Sequence, residues 1–142
     1  MTRANPKLRN FAEHLIAYEM KGKNSADTKT PLAFLASVKL RPSLATLMGG
    51  TGFQALLSRA LALASAEVSW LRAVNVKADG SFEGLHPLGV QRDPDEIAEG
   101  GVVVLAQLLG LLVAFIGEEL TLRLVQEVWP KLPFDSLDAG RR

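Results

Sequence analysis

Apolar residues recur with a helical period along most of the chain. Behind Asn5-Pro6, a cap and first-turn pair, Leu8, Phe11, Ala12, Leu15 and Tyr18 form one stripe, which predicts a helix to about Met20. Arg9 and Glu13 lie four apart on its polar side, where they can pair. Residues 21–29 lose the period and read as a mobile linker. Thr30-Pro31 repeats the cap-then-proline signal and opens a second helix carrying Leu32, Phe34, Leu35 and Val38. Arg41-Pro42 forces a fresh start, and a short helical piece through Leu44, Leu47 and Met48 stops at Gly49-Gly50.

A stronger helix follows, from about Phe53 to Arg72. Phe53, Leu57, Leu61, Ala64, Val68 and Leu71 mark its buried face, and Gln54, Ser58, Ser65, Ser69 and Arg72 its polar one. From Val74 the period shortens to two. Asp79-Gly80 is a turn signal, so residues 74–85 predict a small hairpin, too weak to stand without the bundle behind it.

The dominant stretch runs from Asp93 to Trp129. Asp93 is placed to cap, Pro94 to take the first helical position, and Asp95 and Glu96 to meet the positive end of the helix dipole. Pro130 ends it. At 1.5 Å per residue such a helix would reach about 52 Å, longer than a small domain needs, which predicts a bend at Gly100-Gly101, Gly110 or Gly117. Beyond Gly117, Glu119, Arg123 and Glu127 form an exposed charged side, with Leu120, Leu124 and Val128 on another.

Residues 102–117 are apolar all round except for Gln107, the pattern of a helix wrapped by others or by lipid. The run is 16 residues long, short of the roughly 17 to 25 of a membrane span. Its flanks are acidic at both ends and carry no nearby Lys or Arg to set an orientation. A buried core helix is therefore favoured over insertion of 102–117 into a bilayer. Gly100, Gln107, Gly110, Ala114 and Glu118 fall near one line, a stripe suited to close helix packing or to a partner, and Gln107 on it requires a hydrogen-bond partner.

The expected architecture is all-α: a compact bundle of about five helices around a long apolar C-terminal helix, with residues 1–142 as one domain. Residues 135–142 are expected to fray. Apolar residues at 48% and charged residues at 22% are globular proportions and argue against disorder. The chain has no cysteine, which removes disulfides and thiolate metal sites, and with no apolar segment after the charged N-terminus a cytoplasmic location is expected.

Net charge is +1 but uneven. Residues 1–41 hold eight basic residues against three acidic, and residues 92–142 hold five against nine. Lys21, Lys23, Lys29, Lys39 and Arg41 make a basic contact arm able to meet phosphates. Nucleic acid is nevertheless disfavoured, because no base-reading helix or interleaved aromatic set accompanies the arm.

Candidate chemistry is sparse. Gly50-Thr51-Gly52 precedes a helix as a phosphate loop does, but no strand precedes it and the P-loop lysine is missing. His14 and His86 are isolated from other ligands, so zinc is not expected. Leu85-His86 with Asp93-Pro94 resembles the proximal-histidine corner of globins, yet the aromatic clamp for haem is missing, and no cofactor is expected. Adjacent Glu118 and Glu119 point about 100° apart and cannot face each other as a dyad. The expectation is a non-catalytic protein-protein interaction or adaptor module that pairs with itself or another protein. A membrane-active protein and a small enzyme or ligand-binding bundle are the alternatives.

Overall fold

The computed structural model describes residues 6–21, 34, 37, 39–77, 82–84 and 93–130. Four α-helices lie among them, α1 (Pro6–Lys21), α2 (Arg41–Glu67), α3 (Pro94–Ile116) and α4 (Glu118–Val128), with a 3-10 turn at Ser69–Ala73 and two short strands. The expected count of about five included a helix opening at Thr30-Pro31. Of that segment Phe34, Ser37 and Lys39 are described as helical, the first two buried and Lys39 exposed. The linker beyond Lys21, the loop through His86 and the tail 135–142 lie outside the described residues.

α3 is the axis of the molecule. Its start follows the capping logic: the Asp93 carboxylate accepts from the Asp95 amide at 2.9 Å, Pro94 takes the first turn, and Asp95 and Glu96 sit at the positive end. From Ile97 to Leu112 it is buried on nearly every side, with Val103, Val104, Leu105, Leu108 and Leu112 fully enclosed. α1 covers it with Phe11, Ala12, Leu15 and Ile16, and α2 with Phe53, Leu56, Leu57, Ala60, Leu61 and Ala64. The end of α2 meets the middle of α3 where Glu67 binds Gln107, and Trp70, just beyond α2, lies over Gly100.

The single helix expected over Asp93–Trp129 is two helices. Gly117 adopts φ 92°, ψ 159°, and α4 leaves in a new direction. The expected bend thus falls at the last of the four candidate glycines. A second glycine, Gly49 at φ 82°, kinks α2 where the short helical piece was expected to stop.

The expected helix end at Arg72 is corrected. Val68 is extended, and the 3-10 turn beyond it closes through Leu71 N–H to Val68 O at 3.1 Å and Val74 N–H to Leu71 O at 2.9 Å. Tightening the turn there brings Trp70 over Gly100 and buries Leu71. The hairpin forms, with Asn75 opposite Glu83 and Val76 opposite Phe82 in antiparallel register. It leans on the bundle through an edge-to-face contact of Phe82 with Phe34, centroids 5.4 Å apart.

Gly100 exists because Trp70 needs its space. A Cβ there would lie 2.6 Å from the indole ring. Gly100→Ala gains about 1 kcal/mol of helix propensity and loses roughly 1–3 kcal/mol to overpacking, so a net loss near 1 kcal/mol is expected. The check is a urea titration in which the midpoint falls at unchanged slope. In a Trp70→Leu background the same alanine becomes neutral or stabilising.

Candidate functional site

Three helices meet at a polar seam on the flank of α3. Gln107, buried in the apolar run, donates from Nε2 to Glu67 Oε2 of α2 at 3.2 Å. Arg9 of α1 donates to Glu99 of α3 and lies 3.9 Å from Glu13 on its own helix. The hydrogen bond to Glu99 is the main cause holding the Arg9 guanidinium above its ordinary pKa. Partial burial opposes it, and the charges of Glu99, Glu13 and Glu67 reinforce it. This seam fixes which faces of α1, α2 and α3 meet.

The packing stripe divides along its length. Gly100 lies under Trp70, Gln107 binds Glu67, and Gly110 would bring a Cβ 3.5 Å from Leu8 Cδ1 of α1. Ala114 and Glu118 are exposed. The first three positions therefore serve contacts within the chain, and the last two face outward.

The basic arm is not gathered into one surface by the described residues. Lys21 closes α1, and Lys23 and Lys29 lie outside the described residues. Lys39 sits over the buried Trp129 ring, 5.8 Å from its centroid, and Arg41 opens α2 half-buried. His14 is exposed, its Nδ1 2.8 Å from the Asn10 carbonyl. Among the described residues no three histidine, aspartate or glutamate side chains gather as metal ligands would.

What remains uncovered is the C-terminal end of α3. Phe115 is 74% exposed, Leu111, Val113 and Ile116 are half-buried, and Ala114 is exposed. Helical symmetry never distinguished Phe115, because every face of this run is apolar and only the length of the covering helices decides where cover stops. On another side of the same end, a groove of about 140 Å³ lies between α1, α3 and α4, floored by Leu8, Phe11, Leu109 and Leu122 and edged by Lys7 and Glu118. Phe115 stands about 200° around the helix from Val113 in that groove, so the exposed ring and the groove are separate features.

Replacing Arg9 and Glu99 singly and together by alanine in a double-mutant cycle is expected to give a coupling of about 0.2–1 kcal/mol, because the pair is partly exposed. The coupling shrinks on going to molar salt. A coupling insensitive to salt would contradict an electrostatic origin.

Compared with known proteins, the chain matches no family model, no curated protein and no solved structure.

Proposed function

We propose that this chain is a small non-catalytic interaction module that associates with a second copy of itself. The observation that carries the reading is the exposed Phe115 at the end of an otherwise enclosed helix. A large aromatic ring held in water, with half-buried Leu111 and Ile116 on the same turns, is the kind of anchor that protein interfaces cover. Glu118 and Glu119, both exposed, form an acidic rim beside it. A heterologous partner with a similar apolar pocket is the neighbouring possibility, and light scattering on the purified chain separates the two.

Mean mass measured by light scattering is expected to rise with concentration toward that of a dimer. Phe115→Glu should weaken association by about 2 kcal/mol or more, roughly thirtyfold in dissociation constant, with helical content unchanged. A strictly monomeric wild type, or a variant that associates equally well, contradicts the proposal.

A second reading has an observation of its own. Asp95–Ile116 is long and apolar enough to cross a bilayer, an 18-residue window within it reaching a mean hydropathy of 2.1, although 61% of that window is buried inside the protein. If the helix is released to lipid, liposomes should carry the chain upward in a flotation gradient at neutral or acidic pH. Flotation at either pH would favour this reading, and none at both would remove it.

A further inference from the structure

α3 and α4 are joined by one residue. Gly117 at φ 92°, ψ 159° occupies backbone space that side chains other than glycine's rarely enter. Those two angles make the whole turn, because the ladder is intact on both sides. Gly117 N–H donates to Val113 O at 2.9 Å, and Thr121 N–H to Gly117 O at 3.1 Å. The turn forgoes the bonds that the amides of residues 118–120 would make to the carbonyls of 114–116 in a continuous helix. Moving one residue to helical angles would restore them and give a single helix from Pro94 to Val128.

Straightening leaves bare only what the bent chain already leaves bare near the hinge. Leu108, Val125 and Trp129 stay buried against a body and Leu122 stays in the groove, so near the hinge Leu111 and Phe115 are the apolar side chains left to meet a second copy. Phe115, two residues before the hinge, is the most exposed large apolar side chain described.

What holds α4 down is a set of contacts that a second copy reproduces. Leu122 and Thr121 share the groove with Lys7, Leu8 and Phe11 of α1. Trp129, just past the end of α4, is buried against the Lys39 ammonium. Thr121, Leu124 and Val125 are buried along the helix between them. None of these contacts requires that α4 belong to the same chain as the body it covers.

We infer that two copies exchange α4 by straightening at Gly117, each body being covered by the other chain's α4. This inference rests on the self-association proposed above. Every contact of the closed chain is kept in the exchanged pair. The forgone helical bonds are regained on straightening. Phe115 then lies at the new contact between the copies, which accounts for its exposure in the single chain.

The test uses the full chain, which has no cysteine of its own. Lys7→Cys and Leu122→Cys are introduced together, since both positions line one groove. A short thiol-specific cross-linker is then applied to the dimer fraction from light scattering. Exchange predicts a covalent dimer on a denaturing gel. Cross-links confined within single chains in that fraction overturn the exchange and leave self-association standing, whereas absence of any dimer overturns both.

Two further variants act on the hinge alone. Gly117→Ala disfavours the bent angles and is expected to raise the dimer fraction at least several-fold. Three glycines inserted after Gly117 let α4 fold back easily and are expected to lower it. Equal dimer content in wild type and both variants contradicts the inference.

Discussion

Water cannot be allowed to reach the middle of α3, and most of the architecture follows from that. Apart from Gln107, the run from Val102 to Leu112 is apolar around its circumference, so one covering helix is not enough. Each Leu or Val enclosed there is worth about 1.5–3 kcal/mol relative to exposure, which is ample to draw two amphipathic helices onto it. α1 and α2 supply that cover, each with a single apolar stripe turned inward. The same requirement explains the tight turn after α2. Ending the helix at Glu67 lets Trp70 and Leu71 close over Gly100, where a continued helix would have carried them past.

Complete enclosure makes any polar group in the run expensive unless it is satisfied. Gln107 is the one such side chain between Val102 and Gly117, and Glu67 of α2 answers it. The bond selects one register of α2 against α3, since a slip of a turn would bury the amide against carbon. Arg9 and Glu99 set α1 in a similar way, though closer to solvent, where their contribution is to orientation more than to stability. Apolar burial thus provides the driving force, and a handful of polar contacts decide between arrangements that burial alone would leave nearly equal.

Much of this was legible in the order of residues. The α2 face, the Asp93-Pro94 start, the break among the α3 glycines, the pairing of residues 75–76 with 82–83 and the need for a partner at Gln107 all come from local chemistry acting over a few residues. Less visible was anything set by lengths in space. The end of α2 at Glu67 depends on where Trp70 meets α3, and the exposure of Phe115 depends on where α1 and α2 stop covering it. Neither has a local signal. Periodicity on α3 carried no information about faces, because every face is apolar.

The account depends most on α3 being sheathed by its own chain and bare only at its end. Amide hydrogen exchange along α3 in plain buffer at low protein concentration, where copies are separate, measures that directly. The expected result is protection greatest through residues 102–112, approaching the global stability of the fold, and falling steeply from Ala114 to Gly117. Rapid exchange through Val104, Leu105 and Leu108, or protection that develops only when detergent or lipid is added, would contradict it.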